Sequence, residues 1–169
     1  MVKKLRDMSG AGVMSCKKAL AETDGDFEKA LRFLREKGLS LAAKKAGRDT
    51  REGLISSYIH FGSKIGVLIE LNCETDFVAK TDEFKQLAKD ISMHIAWNNP
   101  QFLSRDDVPG EIVEQEGNRE KYFSQVCLLE QPFLKDNELS VNDYLSSAIA
   151  RIGENIKIRR FVRYQLGEE

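Results

Sequence analysis

The 169-residue sequence is poor in the residues that make reactive or cross-linked sites, with three cysteines, two histidines, three prolines and one tryptophan. Cys16, Cys73 and Cys127 are odd in number, far apart and without a CxxC pair, so neither a disulfide framework nor a zinc site is suggested. Unpaired thiols suit a reducing cytoplasm. No excess of one charge is present either: 26 Lys+Arg oppose 27 Asp+Glu, a formal net charge of -1. That balance argues against holding nucleic acid by a bulk field. The longest apolar run, Ile65 to Leu71, is far too short to span a bilayer. Met1-Val2-Lys3-Lys4-Leu5-Arg6 opens a charged amphipathic segment, unlike the apolar stretch of a secretory signal.

The same scarcity bears on catalysis, which needs a positioned nucleophile, an acid–base pair, a metal or a phosphate cradle. His60 and His94 both read as structural or surface histidines, and no spacing rule joins Cys73 to His60 as a thiol pair. Asp82-Glu83 and Asp106-Asp107 read as cap and turn residues. Gly10-Ala11-Gly12 lacks the preceding strand and the length of a phosphate-binding loop. No enzymatic side-chain chemistry, metal or cofactor is expected.

What is present suits one ordinary domain, or a domain with a small appendage: 41% hydrophobic and 31% charged residues. Residues 1–38 read as three short helices. The first spans Val2 to Met8 and stops at Ser9-Gly10-Ala11-Gly12. The second runs from Val13 to Thr23 on a Val13–Cys16–Leu20 stripe, broken by Asp24-Gly25-Asp26. The third, capped by Asp26, shows Phe27, Ala30, Leu31 and Leu34 on one face and ends at Gly38. A unit this small has a marginal core, which suggests a mobile appendage or a partner-binding module. Val13 is either core or contact, and Met14 points away from the stripe. Residues 39–52 read as a short basic helix followed by a linker.

From residue 53 to 169 the pattern is that of an α+β core with a small antiparallel sheet. Two strands, Leu54–Phe61 and Lys64–Cys73, flank the two-residue turn Gly62-Ser63. Ile55, Ile59 and Phe61 share a parity on the first strand, as do Ile65, Val67, Ile69 and Leu71 on the second. Thr81 caps a helix whose Phe84, Leu87, Ala88, Ile91 and Ile95 form a buried face. A weaker helix follows Pro109, and helical spacing resumes from Arg119 to Leu129. Ser140 caps a further helix that closes at Gly153. The last strand is expected to place Ile156, Ile158, Val162, Tyr164 and Leu166 on one face, with Arg160 the exception.

Between the second strand and the Thr81 helix lies Glu74-Thr75-Asp76-Phe77-Val78-Ala79. It sets an aromatic ring beside an acid on a short connection, where binding chemistry tends to sit. From pattern alone Phe77 is as well read as a core ring as a contact residue.

Several blocks, in order, resemble the bacterial elongation factor Ts family. They are Leu5-Arg6; Ser9-Gly10-Ala11-Gly12-Val13-Met14-Ser15-Cys16-Lys17-Lys18-Ala19-Leu20; and Ala42-Ala43-Lys44-Lys45-Ala46-Gly47. They continue with Leu71-Asn72-Cys73-Glu74-Thr75-Asp76-Phe77-Val78-Ala79 and Leu128-Leu129-Glu130-Gln131-Pro132-Phe133. Ile152-Gly153-Glu154-Asn155-Ile156 and Arg159-Arg160-Phe161 complete the set. The resemblance implies a ubiquitin-associated-like helical module, a linker and an α+β core of dimerisation type. It implies a cytoplasmic guanine-nucleotide exchange factor for elongation factor Tu, with no cofactor and no contact with membrane or nucleic acid.

In that family the aromatic of the Thr-Asp-Phe-Val motif wedges into the GTPase near its magnesium and phosphate site. The role maps onto Phe77, with Asp76 beside it and Thr75 and Val78 shaping the loop. A second contact maps onto Arg6, Gly10, Ala11, Gly12, Val13, Met14 and Lys17. Family members commonly carry two methionines after the glycine turn, and Val13 stands at the first of these positions. Between Ile112 and Tyr122 the chain is shorter than family members and lacks a helical excursion. Short-form members tend to pair through their cores, so a homodimer is implied. Two rival readings are an interaction scaffold without exchange activity and an RNA binder using Arg159, Arg160 and Arg163. The net charge of -1 disfavours the second.

Overall fold

The computed structural model describes residues 1–168, and the expected core bound at residue 169 lies outside them. Helices α1 (Val2–Ser9) and α2 (Val13–Glu22) are joined by the glycine turn. Gly10 there adopts φ 66°, a left-handed pose that favours glycine, and its N–H donates to the Arg6 carbonyl. The Asp26 carboxylate accepts from the Lys29 N–H and so caps α3 (Phe27–Lys45). Leu5, Cys16, Ala19, Ala30 and Leu34 form a small buried core. Val13 is 42% exposed, so the buried stripe of α2 is Cys16–Ala19 rather than Val13–Cys16–Leu20.

Helix α3 does not stop at Gly38. It continues for seven more residues, to Lys45, and absorbs most of the stretch expected as a separate basic helix. The reason is tertiary: Gly38 is buried where α3 crosses helix α8 (Val141–Ile152), and a Cβ there would lie 3.9 Å from the Ser146 carbonyl oxygen and Ser147 Cα. A small residue lets the backbones approach, and that packing outweighs glycine's helix-breaking tendency. Arg35 donates to the Glu138 carbonyl at 2.9 Å and Lys45 to the Gly153 carbonyl at 2.8 Å. Of the expected linker, 46–51 remains as the connection to the sheet.

The larger unit is built on a three-stranded antiparallel sheet, β1 (Glu52–Ile59), β2 (Ile65–Cys73) and β5 (Ile156–Gln165), in the order β1-β2-β5. The first hairpin closes with the His60 N–H donating to the Ile65 carbonyl at 2.9 Å, so its loop is four residues long rather than two. Helix α5 (Asp82–Asn98) lays Phe84, Leu87, Ala88, Ile91 and Ile95 against the inner face, where Val67, Ile69, Leu71 and Cys73 meet it. Short helices α6 (Gly110–Gln115) and α7 (Arg119–Val126) hold a satellite cluster around Val108, Phe123 and Cys127. A small hairpin of β3 (Pro132–Phe133) and β4 (Asp136–Ser140), not foreseen as strands, then leads into α8. Ser140 and Asp143 close that helix's N-terminus as a reciprocal capping box.

Strand β5 departs from the expected parity. Glu70 pairs with Arg160 but Leu71 with Ile158, so Arg159 is an extra residue, a β-bulge. One added residue turns every later side chain to the opposite face. Ile156 and Ile158 therefore face the core, while Val162, Tyr164 and Leu166 are exposed. Phe161 packs against the core, and the Arg163 side chain, 8% exposed, donates through Nε to the Ala96 carbonyl at 3.2 Å. The expected single apolar face is thus split, and Arg159, Arg160 and Arg163 do not form one basic stripe. No helix of the described residues is long and apolar enough to cross a membrane.

Candidate functional site

Residues 74–81 fold as a single helical turn, α4 (Asp76–Ala79), between β2 and α5. The segment expected as a loop is helical because both of its ends are capped. Thr75 is extended (φ −127°, ψ 151°) and its Oγ1 accepts from the Val78 N–H at 3.4 Å. Thr81 Oγ1 donates to the Val78 carbonyl at 2.8 Å and accepts from the Phe84 N–H at 3.2 Å, ending one helix and starting the next. Ala79 is buried and Val78 packs on the main core. Two residues earlier on so short a helix points nearly the opposite way, and Phe77 is 79% exposed. An exposed phenylalanine forgoes roughly 2 kcal/mol of burial free energy, so the fold itself gains nothing from it.

The base of the turn is tied to the start of β5, about eighty positions away in sequence. Glu154 Oε2 accepts the N–H groups of Glu74 and Thr75, each at 3.1 Å, and its Oε1 accepts the Thr75 hydroxyl at 2.6 Å. The Asn155 N–H donates to Glu74 Oε1 at 2.7 Å. Asn155 is buried, and its amide nitrogen donates to the Ala46 and Arg48 carbonyls at 3.3 and 2.8 Å. Bonds to an ionised acceptor are each worth about 1.5–3 kcal/mol net, so the arrangement is stiff.

Charge around the ring is paired. The Glu74 carboxyl is held below its usual range, first by the Asn155 N–H and then by Arg48. Lys80, whose Nζ lies 2.6 Å from Asp76 Oδ2, lowers the Asp76 pKa and has its own raised in return. Burial pushes the Cys73 thiol up to about 11, and it donates to the Thr75 carbonyl at 3.1 Å. A protonated, buried thiol is no nucleophile. No group of His, Cys, Asp and Glu among the described residues could hold a metal ion.

The N-terminal candidates lie on the glycine turn and the start of α2. Met14 is 74% exposed, Val13 partly so, and Arg6, Gly12 and Lys17 are exposed. Gly10 and Ala11 are half-buried. The Arg151 guanidinium occupies the space that a Cβ on Gly10 would need, and Arg151 also pairs with Glu83 in the first turn of α5. That chain of contacts connects the glycine turn to a residue six positions beyond Phe77. Sequence reasoning quoted Glu154 and Asn155 as part of a motif but gave them no role. A polar pair directly after a helix-closing glycine was the available signal, and its partners are too distant in sequence to read.

An exposed ring on a clamped turn, beside the buried Cys73 thiol that stays protonated, is the chemistry of a contact surface. Comparison with known proteins assigns it to a family. The elongation factor TS family model matches residues 35–120 and 114–168. The elongation factor Ts of Carboxydothermus hydrogenoformans is 53% identical over 99% of this chain and 88% of its own. That of Thermodesulfovibrio yellowstonii is 50% identical over 99% and 95%, and that of Fervidobacterium nodosum 51% over 99% and 97%. The chain belongs to the elongation factor Ts family and is a translation elongation factor. The alignment with the Carboxydothermus protein spans 191 positions against 169 residues here, so at least 191 − 169 = 22 positions face a gap in this chain. The two family matches meet at 114–120, within the stretch read as shortened between Ile112 and Tyr122.

Proposed function

We propose that this chain is a guanine-nucleotide exchange factor that binds elongation factor Tu in the cytoplasm and promotes GDP release through the turn Thr75-Asp76-Phe77-Val78. The observation that carries the reading is the Phe77 ring, 79% exposed on a turn whose base is clamped by Glu154 and Thr75. Magnesium bound to a nucleotide has few protein ligands and keeps several waters, so a small displacement spoils its octahedral geometry. A rigid ring that finds contacts only in the opened GTPase binds that state preferentially, and nucleotide must weaken the factor by the same free energy. The chain needs no acid, base or metal of its own for this task. Arg6, Gly10, Ala11, Gly12, Val13, Met14 and Lys17 supply a second grip, with Met14 the most exposed apolar side chain among them.

The test follows release of a fluorescent GDP from elongation factor Tu. The intact protein accelerates release, and Phe77→Ala, folded by circular dichroism, loses at least about ten-fold, as expected for removing a buried aromatic anchor at an interface. No acceleration by the intact chain sinks the exchange reading. Full acceleration by Phe77→Ala removes the wedge and leaves the activity.

A homodimer through the core is supported by a separate feature. The outer face of the sheet carries cross-strand rows Ile55–Glu70–Arg160, Ser57–Leu68–Val162 and Ile59–Gly66–Tyr164, beside an exposed Phe61. Ile55, Ile59, Leu68, Val162 and Tyr164 are exposed there, and an apolar patch of this kind marks an interaction surface.

A further inference from the structure

We propose that Glu154 is a positioning residue for nucleotide exchange, its carboxylate holding the turn at Thr75–Val78 in the pose that presents Phe77; the proposal rests on the reading of Phe77 as the contact with the GTPase. Helix α4 has four residues and cannot hold its own geometry, because so short a helix does not offset its nucleation cost. Its backbone bonds are long: Ala79 N–H to the Thr75 carbonyl at 3.3 Å and Lys80 N–H to the Asp76 carbonyl at 3.2 Å. Orientation therefore comes from the ends. At the C-terminal end Thr81 belongs to α5, which is anchored in the core.

At the N-terminal end the Cys73 thiol holds the Thr75 carbonyl, and the donors of Glu74 and Thr75 that enter the turn converge on Glu154. Its two oxygens take three donors from two consecutive residues, the N–H groups of Glu74 and Thr75 and the Thr75 hydroxyl. The hydroxyl bond has a second effect. With its hydrogen directed at Glu154 at 2.6 Å, Thr75 Oγ1 keeps a lone pair for the Val78 N–H, one residue beyond Phe77. Glu154 thus sets the rotamer of the cap as well as the path of the chain entering it.

Simple tethering of β5 to the core is carried by its neighbour. Asn155 bonds the Ala46 and Arg48 carbonyls through its side chain and Glu74 through its backbone, and none of those groups lies within the turn from Thr75 to Val78. Glu154 alone of the pair reaches Thr75. A contact residue delivered in a fixed pose spends less binding free energy on ordering, so losing Glu154 weakens the action of Phe77 without removing the ring.

A double-mutant cycle tests this. Fluorescent GDP release from elongation factor Tu is measured across factor concentrations for the intact protein, Glu154→Ala, Phe77→Ala and the pair together, with thermal unfolding run in parallel. Glu154→Ala is expected to lower acceleration about ten-fold. On the Phe77→Ala background it is expected to cost less than about two-fold more, because it acts through that ring. Glu154→Gln is expected to stay within about three-fold of the intact protein, since its carbonyl still accepts both N–H groups and Thr75 can accept from its amide. Glu154→Asp, one methylene too short for all three donors, carries the same test if Glu154→Ala does not fold. Equal losses on both backgrounds, or full activity of Glu154→Ala beside a defective Phe77→Ala, overturn the positioning role alone. An undiminished Phe77→Ala overturns the underlying reading of the site and this proposal with it.

Discussion

His94 is wholly buried on α5, with its Nδ1 accepting the Leu134 N–H at 3.1 Å and its Nε2 2.8 Å from Gln131 Oε1. Since Nδ1 is an acceptor, the proton sits on Nε2 and the ring is neutral. Desolvation, the largest cause, holds its pKa below 6.5. Above pH 6.5 folded and unfolded chains are both neutral at this residue, whereas below it the unfolded chain gains a proton that the folded one refuses. Stability is therefore expected to fall as pH drops below 6.5, measured by urea unfolding, with the added slope absent in a uniformly less stable His94→Gln. The sequence showed a histidine three residues beyond Ile91 and allowed a structural role, which its burial supports. Phe77 was legible as a ring on a short connection, but its exposure depends on Ala79 and Val78 turning inward, a packing decision that no local pattern records. Glu154 was illegible for a different reason: its three donors lie about eighty positions upstream.

Among the elements, α5 and α8 were readable nearly to the residue because cap, apolar period and terminator agree in each. Disagreement arose where tertiary contact overrules a local rule. Gly38 looks like a helix end and is instead the thin point at which α3 meets α8. With 3.9 Å of room for a Cβ, Gly38→Ala is expected to raise stability by about 0.5–1 kcal/mol through helix propensity, whereas Gly38→Leu must part the helices and lower it by about 1–3 kcal/mol. Thermal unfolding of the two variants checks both signs. Strand β5 misled in another way, since strict alternation was carried through Arg159, where the bulge shifts the phase. An isolated strand gives no warning of a bulge, because the extra residue is defined only by the partner it fails to meet.

At the scale of the molecule, the exposed sheet face predicts association. The intact protein is expected to sediment as a dimer, and Ile59→Lys combined with Tyr164→Lys, adjacent to Gly66 on one cross-strand row, as a monomer of similar melting temperature. A monomeric intact protein at micromolar concentration removes the dimer. The general plan of helices and antiparallel sheet was visible in hydrophobic periods, while the docking of the two parts was not, because a basic stretch after Gly38 reads locally as a tether.

That docking has a consequence for how a partner is gripped. Nineteen residues of unbroken helix, α3, run about 28 Å from the small helical core to the neighbourhood of the Phe77 turn. On the proposed reading, Met14 and Phe77 are the jaws of a calliper whose gap is set by that helix and its contact with α8, so the protein gauges the shape of its partner. A partner conformation of another width can satisfy one jaw or the other but not both.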